Sequence, residues 1–133
     1  VVDRIIVVAP TEHLKTQWAD AAARVGIRLD PRFSNRQHAP ARHFHGIAVT
    51  YAQVAVKASV HQRLTMDSRA LVILDEVHER SIESDVAFGL LADVRALRDD
   101  LVVVAMSATL DRSYLCRLGW LSNSKLISGT PTK

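Results

Sequence analysis

The sequence predicts an α/β domain in which a mainly parallel sheet lies between helices as a three-layer sandwich. The chain has 133 residues, which suits one domain, and 48% of them are apolar, which is enough for one buried core. Its strand-like segments are runs of valine and isoleucine that do not alternate with polar residues, a pattern typical of strands covered on both faces. Segments with helical spacing separate these runs, as α/β folds require.

Four apolar runs predict the main strands of this sheet. They are Ile5–Ala9, Gly46–Thr50, Leu71–Leu74 and Leu101–Met106. Two weaker candidates are a short strand near Arg28 and a fifth strand at Lys125–Ser128.

The helices are predicted from apolar residues that recur at helical spacing. The first helix has one apolar face and is expected to stop at Gly26. That face comprises Leu14, Trp18, Ala21, Ala22 and Val25. A weaker helix spans residues 51–64, with Val54, Ala55 and Ala58 inward. The clearest helix runs over residues 84–98, with Val86, Leu90, Val94 and Leu97 inward. A short helix is expected after Asp111.

Charge and cysteine content limit the class of protein. The formal net charge of +3 is compatible with a nucleic-acid partner. The stretch from Arg24 to His45 contains five arginines and three histidines, and we predict that residues 27–45 form a basic surface excursion. Cys116 is the one cysteine, which excludes an internal disulfide. No apolar run approaches the roughly 20 residues of a membrane span, so we expect a soluble, cytoplasmic protein without a membrane partner.

Two acids, Asp75 and Glu76, directly follow the third predicted strand. Ligands of open α/β sheets bind at this end of the strands. In a nucleotide hydrolase one carboxylate holds Mg²⁺, usually through water, and the next orients the attacking water. We assign Asp75 to the metal and Glu76 to the water, which requires the backbone to turn at Glu76 because neighbouring strand residues point to opposite faces. The alternative is a pair of solvated acids that opens a loop.

The residues that follow make the signal more specific. The segment Asp75-Glu76-Val77-His78-Glu79-Arg80 resembles motif II, the Walker B segment, of the DEAH-box helicases of superfamily two. After the next predicted strand, Ser107-Ala108-Thr109 resembles motif III of the same superfamily. The resemblance implies a RecA-like fold, ATP and Mg²⁺ as cofactors, and RNA or DNA as partner. It also implies that His78, Ser107 and Thr109 couple ATP hydrolysis to movement along the nucleic acid.

A second resemblance lies where the first strand meets the first helix. The segment Ala9–Leu14 is similar to motif Ia, through which this superfamily contacts the phosphate backbone. It implies that Pro10 and Thr11 bind nucleic acid, and a helix N-terminus offers free N–H groups for that purpose. Thr11 is also expected to be the N-cap of the helix, a role that leaves other N–H groups available.

A third resemblance follows the second main strand. The segment Val49–Gln53 is similar to the motif Ib region and implies a phosphate contact by Thr50. Tyr51 could stack on a base, although an inward aromatic side chain at a helix start is the commoner arrangement.

A motor of this superfamily also needs a phosphate-binding loop with the pattern Gly-x-x-x-x-Gly-Lys-Ser/Thr, and none of the five glycines begins or completes it. We therefore expect residues 1–133 to be a partial first motor domain, truncated at the N-terminal strand and loop, that does not hydrolyse ATP alone. The resemblance implies a second RecA-like domain as partner, beyond Gly129-Thr130-Pro131. The alternative is a non-catalytic module that binds nucleic acid or another partner.

The two halves of the chain resemble different branches of the superfamily. Residues 1–65 are more similar to a bacterial branch with the pattern Pro-Thr-x-x-Leu-x-x-Gln-Trp, which runs here from Pro10 to Trp18. Residues from 70 onward are more similar to the DEAH-box RNA helicases. The sequence therefore leaves open whether the nucleic acid is RNA or DNA.

Overall fold

The structure, a computed structural model, describes residues 2–37, 40–76, 82–98 and 100–106. The strands are β1 (Arg4–Ala9), β2 (Leu29–Asp30), β3 (Gly46–Thr50), β4 (Ala70–Leu74) and β5 (Val102–Ala105). The helices are α1 (Glu12–Arg24), α2 (Tyr51–Val56), α3 (Ala58–Met66) and α4 (Ile82–Leu97). The predicted strand at Lys125–Ser128 and the predicted helix after Asp111 lie outside the described residues.

The five strands form one sheet in the order β2-β3-β1-β4-β5, and every neighbouring pair is parallel. In its centre Ile6 of β1 is aligned with Ile47 of β3 on one side and Val72 of β4 on the other. The four predicted main strands and the short strand near Arg28 are all present. The prediction of an α/β fold with a parallel sheet is confirmed.

Helices cover the two faces of the sheet unequally. On one face α1 packs Ala19, Trp18 and Ala22 against a small cluster that includes Val7 and Ala48. The larger cluster, on the other face, joins the sheet to α2, α3 and α4. Its fully buried members include Ile47, Val72, Leu64, Phe88 and Val94. The result is the predicted three-layer arrangement, with most of the core beneath the three later helices.

Local sequence explains where the helices begin and end. The Thr11 hydroxyl accepts a hydrogen bond from the Leu14 N–H at 3.2 Å and caps α1. Gly26 has a φ of 82°, the left-handed conformation that ends helices, so the predicted stop is confirmed. The single helix predicted over residues 51–64 is instead two helices, because Lys57 (φ −140°, ψ 71°) leaves the helical region between α2 and α3.

Two predicted helix faces are rotated in the structure. In α4, Leu90 and Val94 are buried as expected, but Val86 and Leu97 are exposed. The side chains buried beside them are Ser84, Ala87, Phe88 and Leu91. The buried face is rotated in this way because α4 packs against α2 and α3. In α1, Ala21 and Val25 are exposed, and the residues that contact the sheet are Trp18, Ala19 and Ala22.

The basic excursion, residues 27–45, is only partly a surface loop. Most of its side chains are exposed, but Leu29 of β2 and Phe33 are 5% and 3% exposed. Phe33 belongs to the larger core cluster and meets the His61 ring of α3 edge-on at a centroid distance of 6.3 Å. The excursion is therefore anchored to the domain at its midpoint.

Among the described residues, no helix has both the length and the apolar content that a membrane crossing requires.

Candidate functional site

The carboxyl ends of the parallel strands meet at one edge of the sheet. Ala9, the last residue of β1, is aligned with Thr50 of β3, and Leu74 of β4 is aligned with Ala105 of β5. The segments that start at Pro10, Thr50 and Asp75 therefore leave the sheet side by side. The sequence predicted these segments separately, and the parallel register brings them together.

Asp75 is fixed at this edge by three different elements. Its backbone N–H donates to the Val8 carbonyl at 2.9 Å, and its carbonyl accepts from the Tyr51 hydroxyl at 2.9 Å. Its carboxylate Oδ2 accepts a hydrogen bond from the Trp18 indole Nε1–H, also at 2.9 Å. Asp75 is 8% exposed, so these contacts hold a nearly buried carboxylate in one orientation.

Glu76, by contrast, has an unusual backbone conformation. Its φ is 54°, and it is the one residue other than glycine with a positive φ in the described part of the chain. A β-carbon is disfavoured there, and such positions cost on the order of 1 kcal/mol or more. The backbone therefore leaves the extended conformation of β4 at Glu76.

The predicted nucleic-acid contacts lie at the same edge but differ in exposure. Thr11 is exposed and Pro10 is half-buried. Thr50 is 6% exposed, and its hydroxyl accepts from the Gln53 N–H at 3.1 Å as the N-cap of α2. The Thr11 position is open to a phosphate, whereas Thr50 offers little of its side chain to solvent.

Tyr51 occupies the inward position that the sequence analysis favoured. It is 4% exposed, its ring lies 6.5 Å from that of Phe88, and its hydroxyl is bound to Asp75. No ring face is left for a nucleic-acid base, so we do not retain Tyr51 among the nucleic-acid contacts. Its role is to tie α2 to the strand end that carries the acids.

His78, Ser107 and Thr109 lie outside the described residues.

The contact between Trp18 and Asp75 was not predicted, although the sequence placed Trp18 on the inner face of α1. We expect a double-mutant cycle with Trp18→Phe and Asp75→Ala to give a coupling energy of about 1.5 kcal/mol, because the hydrogen bond involves a charged acceptor. Urea unfolding of the four proteins measures it. Phenylalanine keeps only one ring of the indole, but the packing that Trp18 loses with other residues is the same in the single and double mutants and cancels in the cycle. Additive effects, within about 0.5 kcal/mol, would contradict the role of this hydrogen bond.

Comparison with known proteins gives three informative relatives. An uncharacterized protein of Mycobacterium leprae is 49% identical over 77 residues, which is 58% of this chain and 13% of that protein. The ATP-dependent RNA helicase HrpB of Escherichia coli is 61% identical over 46 residues, 34% of this chain and 6% of the helicase. The ATP-dependent DNA/RNA helicase DHX36 of Mus musculus is 30% identical over 117 residues, 81% of this chain and 10% of the helicase.

The chain thus spans a small part of each relative, between 6% and 13% of its length. A family match covers far more of the chain itself. Residues 1–112 match the family described as the res subunit of type III restriction enzymes. Together with the two helicase relatives, this match confirms the resemblance to superfamily two. The chain belongs to the family of the type III restriction enzyme res subunit, within the superfamily-two helicases.

Proposed function

We propose that this chain is the ATPase-side part of a motor that couples nucleotide hydrolysis to movement along a nucleic acid. The observation that carries the proposal is the geometry at the end of β4. A buried, oriented carboxylate at Asp75 is followed at once by a left-handed turn at Glu76. Family membership supports the same function, since HrpB and DHX36 are named as ATP-dependent helicases.

The donor set at Asp75 fits Mg²⁺. Trp18 occupies Oδ2, whereas Oδ1 has no hydrogen-bond partner among the described residues. One or two carboxylates are the usual protein contribution to an Mg²⁺ site, and waters and substrate phosphates complete it. When bound, Mg²⁺ would neutralise developing charge on the phosphates. Asp75 would hold it through water.

Glu76 has a different role in this proposal. Its carboxylate would accept a hydrogen bond from the attacking water and take up its proton. The left-handed backbone at Glu76 breaks the alternation of the strand, and this supports the proposal that both acids serve one site. His78, Ser107 and Thr109 would then relay the state of the nucleotide to the nucleic acid that contacts Pro10, Thr11 and Thr50.

The test requires a polypeptide in which this chain is joined to a phosphate-binding loop and a second motor domain. We expect Glu76→Gln to lower ATP turnover about 100-fold, because the base is lost, while leaving the Kd for ATP within about twofold. Steady-state hydrolysis and equilibrium nucleotide binding measure the two quantities.

Glu83→Gln is the matched control, because Glu83 is an exposed acid in the first turn of α4. It should leave both quantities unchanged. Normal turnover in Glu76→Gln, or an equal loss in the control, would overturn the assignment of Glu76.

A further inference from the structure

The two carboxylate oxygens of Asp75 have different surroundings. Oδ2 accepts the Trp18 indole N–H at 2.9 Å, whereas Oδ1 has no hydrogen-bond partner in the described part of the chain. In a carboxylate that is free in water, the two oxygens are equivalent and accept hydrogen bonds alike. Because Asp75 is only 8% exposed, its hydrogen bond with Trp18 is largely shielded from competing water. The fold thus distinguishes two oxygens that are chemically the same.

The main chain of Asp75 is fixed independently of its side chain. Its N–H donates to the Val8 carbonyl and its carbonyl accepts from the Tyr51 hydroxyl, both at 2.9 Å. The remaining freedom is rotation of the side chain, and the last torsion of an aspartate has broad, roughly two-fold preferences. Among the described residues, only Trp18 contacts the carboxylate with a hydrogen bond. The orientation of the carboxylate therefore depends on Trp18.

Trp18 is well suited to hold a carboxylate that also binds a cation. It lies in the middle of α1, and its side chain packs against the cluster that includes Val7 and Ala48. An indole carries one N–H donor and no acceptor, so it can occupy only one of the two carboxylate oxygens. Unlike lysine or arginine, the indole is uncharged and does not neutralise the carboxylate. Asp75 thus keeps its negative charge for a cation at Oδ1.

We propose that Trp18 is a positioning residue that makes the site at Asp75 select Mg²⁺ over Ca²⁺. With Oδ2 occupied by the indole, one oxygen is left for a metal ion or its bound water. This arrangement suits Mg²⁺, which keeps several waters and is bound by few carboxylate oxygens, whereas Ca²⁺ readily takes both oxygens of one carboxylate. The inference rests on the proposed function, in which Asp75 serves the metal, and adds the origin of its metal specificity.

The test uses the polypeptide that joins this chain to a phosphate-binding loop and a second motor domain. Binding of a fluorescent, non-hydrolysable ATP analogue is titrated with Mg²⁺ and, separately, with Ca²⁺, so that the measurement does not depend on turnover. We expect Trp18→Phe to raise the Mg²⁺ concentration for half-maximal binding about tenfold, the usual effect of losing a group that orients a metal ligand. The Ca²⁺ concentration should change less than about threefold, because Ca²⁺ can use the freed Oδ2.

The matched control is Tyr51→Phe, which removes a hydrogen bond to the carbonyl of Asp75 and leaves both carboxylate oxygens as they are. It should leave the ratio of the Mg²⁺ and Ca²⁺ concentrations unchanged. A second variant replaces Trp18 with benzothienylalanine, which has the shape of the indole but a sulfur atom in place of the N–H. Because it preserves the packing of α1, it should fold even if Trp18→Phe does not, and it should show the same loss of selectivity.

Other outcomes separate this inference from the proposed function. If loss of the indole N–H shifts the Mg²⁺ and Ca²⁺ concentrations by the same factor, or shifts neither, the positioning role of Trp18 is wrong and the proposed function stands. The same conclusion follows if the wild type responds equally to both metals, or if Tyr51→Phe alters the selectivity as much as Trp18→Phe does. If the wild type does not bind the analogue with either metal, the proposed function fails and the inference fails with it.

Discussion

Gly46→Ala is expected to prevent stable folding, at a cost of about 4 kcal/mol or more. Gly46 opens β3 and is aligned with Ile5 of β1 on one side and Leu29 of β2 on the other. A β-carbon on Gly46 would overlap the Ile5 carbonyl oxygen and lie 2.6 Å from its carbonyl carbon. Backbone atoms in the middle of a sheet cannot yield as a flexible side chain could. Costs of this size arise from such clashes rather than from ordinary surface substitutions.

Circular dichroism and urea unfolding measure this effect, and Gly89→Ala is the matched control. Gly89 is exposed within α4, and a β-carbon there would meet nothing within 4 Å. Alanine should therefore stabilise the helix by about 0.5–1 kcal/mol. Alanine is thus expected to lower the free energy of unfolding at Gly46 and to raise it at Gly89. A Gly46→Ala protein that unfolds at the wild-type urea midpoint would contradict the close strand approach.

The second large expected effect is a loss of folding stability at low pH that is linked to His61. His61 is 3% exposed, and burial lowers its pKa from 6.5 to about 4. Because Asn35 Nδ2 donates to Gln53, Asn35 Oδ1 must accept, so the neutral His61 ring carries its proton on Nε2. Nδ1 is buried and has no hydrogen-bond partner in the described part of the chain. Protonation would place an N–H at Nδ1 with nothing to receive it.

The direction of the pH effect follows from this shift. The folded protein holds His61 neutral down to about pH 4, whereas the unfolded chain protonates it near pH 6.5. The stability linked to His61 is therefore complete above pH 6.5 and is lost as the pH falls toward 4. The total is about 3 kcal/mol, at 1.36 kcal/mol for each unit of pKa shift.

Urea unfolding at pH 7.5 and pH 4.5 tests this expectation in the wild type and in His61→Gln. Glutamine can still donate to Asn35 but does not titrate, so the variant should lose less stability than the wild type across this range. Carboxylates that titrate near pH 4.5 affect both proteins equally and cancel in the comparison. Identical losses in the two proteins would contradict a buried neutral His61.

The strands were predictable because parallel strands covered on both faces need uninterrupted valine and isoleucine, and such runs are visible in sequence. The stop at Gly26 was predictable for a similar local reason. The break at Lys57 was not, since neither glycine nor proline marks it. The sequence also missed that Phe33 is buried, because one aromatic residue among arginines and prolines reads as part of a solvated loop.

The candidate site was predictable as a list of residues but not as an arrangement. Motif spacing indicated Asp75 and Glu76, and the alternation of strand side chains indicated a turn at Glu76. The hydrogen bond from Trp18 crosses 57 residues of sequence, and no local pattern encodes such a contact. The docking of the excursion escaped prediction for the same reason, because Asn35 meets Gln53 of α2 and His61 of α3 only in the folded chain.

The positive φ of Glu76 lowers the stability of the fold at the residue that the proposed mechanism uses as its base. Glycine would adopt the same backbone without a steric penalty, and asparagine would adopt it at a smaller one, but neither carries the carboxylate. Under the proposed role of Glu76, the more stable sequences at this position are thus the ones that cannot activate water. A selection for thermal stability alone would be expected to replace Glu76 early, and the resulting protein would be more stable but would lack the base of the proposed mechanism.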